Sequence, residues 1–164
     1  MFNAFELTLF NQAMLKTFSS LLSLGILVAG CTGTRPLNLG VHDGKLAPCP
    51  ATPNCVSSQS KDKEHAVEPF LFSGTPAQAM ADLKGALSAM PRVRIVTETD
   101  TYLHAEFTSA LFRFVDDVEF WIDADTRTIH LRSASRLGKS DLGVNRKRIE
   151  HLRSAINPGA SATP

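Results

Sequence analysis

The chain has 164 residues, 43% hydrophobic and 20% charged, an ordinary globular mixture with room for one core but not two. Lys and Arg total 17 against 16 Asp and Glu, and a formal net charge of +1 excludes a general electrostatic pull toward nucleic acid or an acidic surface.

The first feature in the chain is an apolar run from Leu21 to Val28, preceded by Lys16 and closed by Ala29-Gly30-Cys31. A positive start, a short apolar core and small residues before a cut predict a secretory signal over residues 1–30. Roughly ten apolar residues are too few to cross a ~30 Å hydrocarbon layer as a permanent helix. The small residues before Cys31 resemble the box read by lipoprotein signal peptidase, which implies diacylglycerol on the Cys31 thiol and an acyl chain such as palmitate on its amino group. The alternative is an ordinary secretory signal with an incidental cysteine. Residues 1–13 carry Glu6 and little positive charge, whereas a chain begun at Met14 opens Met-Leu-Lys-Thr, so Met14 makes the better start. Thr32 in place of Asp after the cysteine points, by resemblance to the sorting rules of Gram-negative envelopes, to the periplasmic face of the outer membrane rather than the inner membrane.

Residues 31–45 contain Gly33, Pro36, Gly40 and Gly44 without periodicity, and read as a flexible tether lifting a domain off the lipid. A single domain is expected over 46–157. Pro158 and Gly159 open a tail, 158–164, that has almost nothing to bury and reads as disordered.

Within the domain, Thr75 as N-cap, Pro76 at the first helical position and Pro91 as stop predict a helix of about four turns. Ala79, Met80, Leu83, Leu87 and Met90 form its apolar stripe, suited to covering a sheet. Period-two alternation then predicts strands around Val93 to Thr97, Leu103 to Phe107, Phe112 to Ile122 and Arg127 to Arg136. In the third strand Phe112, Phe114, Asp116, Val118, Phe120 and Ile122 share one face, and Arg113, Val115, Asp117, Glu119 and Trp121 the other.

Placing Ile129 and Leu131 beside Phe120 and Val118 sets a register with Asp117 opposite Arg132, Glu119 opposite His130, Arg113 opposite Arg136 and Asp116 opposite Ser133. A last helix starts from Ser140 or Asp141 as N-cap and buries Asn145, Ile149, Leu152 and Ile156. The expected architecture is α+β: a four-stranded antiparallel meander sheet with one helix before it and one after, both on one face, leaving the other face available.

Three blocks carry a resemblance. They are Cys49-Pro-Ala-Thr-Pro-Asn-Cys55-Val-Ser-Ser, Phe114-Val-Asp-Asp-Val-Glu-Phe120, and Arg132-Ser-Ala-Ser-Arg136 continuing through Asp141 and Asn145 to Arg148. In this order, over roughly Leu46 to Leu152, the chain resembles domain-of-unknown-function family 1499. The resemblance implies no reaction, substrate or catalytic residue.

Read for their chemistry, Cys49 and Cys55 have an oxidising compartment to favour a disulfide between them if the chain is exported. Free thiols, a redox-active pair and a metal pair are the alternatives. Two thiols fall short of four tetrahedral zinc ligands, and the spacing is not that of a thioredoxin-like motif. No metal or other cofactor is expected.

Asp117 and Glu119 suggest either acid–base chemistry or a hard-cation site, but with His130 and Arg132 across from them they read as a solvated ladder of structural ion pairs. Asp116, on the apolar face, needs donors if buried, and Ser133 opposite it can supply one. Residues 98–125 hold eight acids against one Arg, and residues 127–153 eight Lys or Arg against two acids, so the two halves complement each other.

Arg132, Arg136, Lys139 and Arg146 surround a loop with Gly138, Ser140, Asp141 and Gly143 that runs into a helix start. This combination would suit a phosphate, a carboxylate or a lipid headgroup, against the plainer reading of a capped structural turn. The scattered histidines, His104 included, read as surface or packing residues, and no serine sits in a nucleophile elbow.

Three functions follow from these readings. The preferred one is a membrane-anchored envelope lipoprotein whose domain is a non-enzymatic interaction or maintenance module, with the membrane and an envelope protein as partners and no nucleic acid. The second is a binder of an anion or lipid headgroup through Arg132, Arg136 and Arg146. The third is a hydrolase using Asp117 or Glu119.

Overall fold

The computed structural model describes residues 32–156. The signal segment 1–30, the Met14 start, Cys31 and the tail 158–164 lie outside the described residues.

The chain forms β1 (Cys55–Ser57), β2 (Phe70–Leu71), α1 (Pro76–Ser88), β3 (Val93–Glu98), β4 (Tyr102–Thr108), β5 (Val115–Asp123), β6 (Thr128–Ser135) and α2 (Val144–Ile156). The fold is α+β with two helices and one antiparallel sheet. Strands β3 to β6 are a meander in sequence order, as expected. The sheet has six strands rather than four, because β1 and β2 both pair along the outer edge of β6. Three-residue and two-residue strands carry too little alternation to be recognised before the edge they pair with is known.

Helix α1 begins where its cap dictates: Thr75 Oγ1 accepts from the Gln78 amide, and Pro76 needs no partner for a missing N–H. Ala79, Met80, Leu83 and Leu87 are buried from it, and Asn145, Ile149 and Leu152 from α2. The two helices pack on each other, α1 reaching β5 and α2 reaching β6 and β1. Their stripes meet Leu103, Phe107, Val118, Phe120, Ile122, Ile129 and Leu131, with Phe70 closing the core. Each such side chain contributes about 1.5–3 kcal/mol through burial, and this is the main force holding helices to sheet.

Helix α2 starts later than its capping residues suggest. Asp141 still serves as its cap, accepting from the amides of Gly143 and Asn145, while Leu142 and Gly143 take positive φ before the first helical turn.

The register of β5 on β6 differs from the expected one by two residues. Asp116 lies opposite Ser135, Asp117 opposite Ala134, Glu119 opposite Arg132 and Trp121 opposite His130. The cause is the turn between the strands. Asp123 accepts from Asp125 and Thr126, Arg127 adopts φ 53°, and the turn takes up four residues, so pairing resumes at Asp123 with Thr128. Arg113 is not in the strand at all: it sits at φ 57° in the preceding turn, where Ser109 and Phe114 close the β4–β5 connection, so the pair expected with Arg136 does not form.

Candidate functional site

The sheet face opposite the helices is polar, and it is buried. In β4 the alternation that sends Leu103, Ala105 and Phe107 to the core sends Tyr102, His104 and Glu106 to this face. Asp117 and Glu119 join them from β5, and Arg132 and Arg136 from β6 and its extension. Asp117 and Glu119 are 1% and 0% exposed, which corrects the expectation of a solvated ladder on an open face.

The cover is the segment expected to be a flexible tether. Within residues 33–45, Arg35 donates to Glu106 Oε1 and the Gly40 amide to Glu119 Oε1 at 2.7 Å. His42 to Lys45 closes a tight turn through paired backbone hydrogen bonds, with Asp43 and Gly44 at φ 50° and 70°. A Cβ on Gly44 would sit 3.4 Å from the Trp121 ring, so this turn rests on the indole. Asp43-Gly44 is the pair that such a two-residue turn demands, and it is the signal in the sequence that the tether reading passed over.

The charges beneath this cover share partners, and among the described residues only Arg132 Nε is a buried side-chain nitrogen or oxygen without a hydrogen bond. Arg136 bridges the two strands: its Nε and Nη2 donate to Asp117 Oδ2 and Oδ1 at 2.8 and 2.7 Å, and Nη2 also reaches Glu106 at 2.6 Å. Glu106 accepts in addition from Arg35 and Arg94. Burial alone would raise the Glu106 carboxyl, but hydrogen bonds from three guanidinium groups outweigh it and hold the group down to about 2.

His104 Nε2 donates to Asp117 Oδ1 at 2.9 Å. Against the opposing effect of burial, Arg136 and His104 together keep Asp117 below the ordinary carboxylate range. Glu119 takes the Tyr102 hydroxyl at 2.9 Å and one distant Arg132 nitrogen at 3.4 Å. Burial, followed by the Glu119 charge, pushes Tyr102 far above the ordinary phenol value.

These partners correct the expected ion pairs. Asp117 pairs with Arg136 and His104 rather than Arg132, and Arg132 serves Glu119. His130 stacks on Trp121 with ring centroids 5.1 Å apart and forms no ion pair with an acid among the described residues. Tyr102, His104, Glu106, Arg35 and Arg94 were missed as members of the layer, although period-two alternation in β4 places the first three on it.

A second buried network lies on the helix side. Asp116 accepts from Arg148, not Ser133, and the Arg148 guanidinium lies 4.5 Å from the centroid of Phe107. Ser133 Oγ donates to Asn145 Oδ1, and Asn145 Nδ2 reaches the Asn54 carbonyl at 3.0 Å and Ser135 Oγ at 3.1 Å. Asn54 thereby ties the disulfide loop, where Cys49 and Cys55 are joined, to α2. The Arg-Ser-Ala-Ser-Arg block is now legible: Arg132 and Arg136 serve the polar face, and Ser133 and Ser135 the helix face.

The proposed anion cluster does not converge. Arg132 and Arg136 point into the carboxylates of the covered face. Arg146 donates to the carbonyls of Ala66 and Glu64 from α2, and Lys139 is exposed in the loop between β6 and α2. Among the described residues Asp62, Glu64 and His65 come close enough together to hold a metal ion, but His65 uses Nδ1 on Asp62 and Nε2 on the Thr52 carbonyl, so neither ring nitrogen faces an ion. Among the described residues no helix is long and apolar enough to cross a membrane.

No curated protein matches the chain. The model of the family described as protein of unknown function (DUF1499) matches residues 45–156, which contain all three blocks and most of both networks, and the chain belongs to that family.

Proposed function

We propose that this protein is an envelope lipoprotein, held at a membrane by lipid on Cys31, whose domain acts through its surface as a non-enzymatic interaction or maintenance module. The observation that carries the reading is the disulfide. Of the chain's three cysteines, Cys49 and Cys55 are joined, which suits an exported protein, and Cys31 is the thiol left for lipid directly behind an apolar run and small residues. Lipid on the thiol and on the amino group together would anchor it stably, where a single chain would bind reversibly.

The interaction reading is preferred to hydrolysis and to anion binding because Asp117, Glu119, Arg132 and Arg136 are occupied with one another inside the fold. Side chains so paired hold a structure together; a general base needs a position from which it can reach a substrate. Thr32 supports the outer membrane's periplasmic leaflet as the location.

The test is fractionation of the full chain produced in a Gram-negative host beside its Cys31→Ser variant. The native chain is expected in the membrane fraction after alkaline washing, with an acylated Cys31 peptide in the mass spectrum. The variant is expected in the soluble periplasm. A native chain that washes off and carries no acyl group would end the lipoprotein reading.

A further inference from the structure

We infer that the domain lies directly on the lipid surface, docking through the end of the molecule formed by the β4–β5 turn, the loop after β6 and the start of α2. The inference rests on lipid at Cys31 for its geometry, and on the surface itself for its chemistry.

Six of the eight large apolar side chains exposed among the described residues gather at this end: Leu111, Phe112, Phe114, Leu137, Leu142 and Val144. Several local bonds bring them together. Ser109 and Phe114 close the turn that presents Leu111 and Phe112, and the Phe112 and Phe114 rings stack at 5.6 Å. The Arg136 amide donates to the Val115 carbonyl, which sets Leu137 beside Phe114. Val144 and Lys147 line one depression with Arg92, Thr108 and Ser109, which brings the start of α2 to the same end. Leu111 at 79% exposure, Phe112 at 62% and Leu142 at 86% are not scattered apolar residues of the kind every surface shows.

The place where the chain enters the domain selects the occupant. Gly33 packs against this end so closely that a Cβ there would lie 2.9 Å from Arg136 Cβ and 3.0 Å from Leu137 Cγ. Cys31 is two residues earlier, and two residues reach roughly 7 Å when fully extended. A lipid on Cys31 therefore brings Leu137 and its neighbours to the headgroups, and the short connection leaves the opposite end, at the Asp123–Thr128 turn, facing away.

Charge agrees with this orientation. Arg92, Arg113, Lys139 and Lys147 are exposed at the same end, and none takes part in an ion pair among the described residues. Aromatic and aliphatic tips ringed by bases suit the boundary of an anionic leaflet, where the rings enter the acyl region and the bases meet phosphate.

The test uses the full lipidated chain in vesicles with and without phosphatidylglycerol, with nitroxide-labelled lipid as quencher and Cys31 acylation read independently by mass. The sole tryptophan, Trp121, lies roughly 20 Å along β5 from Val115 and serves as the distant background. Phe112→Trp is expected to be quenched and Ala124→Trp, at the far turn, not. Arg113→Glu combined with Lys139→Glu, in the Phe112→Trp chain, should lower its quenching about tenfold on phosphatidylglycerol vesicles.

If Cys31 is acylated and Phe112→Trp is no more quenched than Ala124→Trp, the docking inference is overturned and the anchor stands. If Phe112→Trp escapes lipid quenching but its emission shifts to the blue as protein concentration rises, a second copy covers the patch and the bilayer does not. If Cys31 carries no lipid, the anchor reading falls, and docking falls with it unless Phe112→Trp in the unacylated chain is still quenched.

Discussion

Arg136 grips Asp117 with two hydrogen bonds of 2.8 and 2.7 Å although the two residues are not paired in the sheet, where Asp117 lies opposite Ala134. The guanidinium leans back along the sheet from beyond the end of β6 and joins β4 to β6 across β5, since it also holds Glu106. Its three acceptor contacts make it the centre of the covered face, and the acids in turn hold the guanidinium protonated well past its ordinary range.

Removing that centre should be costly. Arg136→Ala leaves Asp117 buried with only His104 and is expected to lower unfolding stability by ~3–5 kcal/mol, read as a shift of the urea midpoint at unchanged slope. Arg136→Lys should recover only part of this, because an ammonium cannot reproduce the two-pronged contact with Asp117. A loss below about 1 kcal/mol for Arg136→Ala would mean that the layer contributes little to stability.

The depressed carboxyls set a direction for acid sensitivity. Glu106 is held at about 2 in the folded chain against an ordinary value of 4.5. Its contribution is fully present above the ordinary value and is lost as pH falls through that window toward the folded value; Asp117, also lowered, acts in the same sense. Thermal melting followed from neutral pH downward should show a fall that begins as the pH drops through the ordinary carboxylate value of 4.5 and continues toward about 2. Glu106→Gln should melt lower at neutral pH and show a shallower acid slope. An unchanged slope in that variant would place the sensitivity elsewhere.

Tyr102 is the only tyrosine, which makes its ionisation directly visible. Burial and the Glu119 carboxylate below its hydroxyl raise it, so at about pH 11, where a free phenol is mostly ionised, the folded domain should show almost no tyrosinate absorbance. The band should appear together with the loss of secondary structure at higher pH. Ordinary titration in the folded state would show that the segment around Gly40 does not cover the face in solution.

Gly33 tests the cover from its other end. At φ 65° and with a Cβ position already occupied by Arg136 and Leu137, Gly33→Ala should cost ~1–2 kcal/mol and loosen the segment. Hydrogen exchange at the Gly40 amide, which is bonded to Glu119, is the sensitive readout: faster exchange is expected in the variant, and unchanged exchange would show that residues 33 and 40 are held independently.

Local periodicity was enough to place both helices, the four long strands and, from Val115 onward in the third of them, the side of the sheet on which each residue lies; Phe112, Arg113 and Phe114, expected in that strand, belong to the turn before it. The Thr75 cap, the Leu83 and Leu87 stripe and the alternation around Phe120 are properties of consecutive residues and need no knowledge of the fold. The same alternation could not distinguish one register from another two residues away, because a slip of two leaves every side chain on its own face. The turn at Asp123 to Arg127 made that choice, through side-chain bonds that composition does not reveal.

The sequence by itself therefore determined the class of fold, the family and the two faces of the sheet. Only the tertiary structure decided which acids meet which arginines, and that the polar face is covered. Arg35 reaches Glu106 across 71 positions and the Gly40 amide reaches Glu119 across 79, contacts that exist only after the meander has formed a surface to receive them. A segment with no periodicity of its own reads as a tether when taken alone. Here it becomes structure because buried carboxylates need donors, and its backbone and Arg35 supply them.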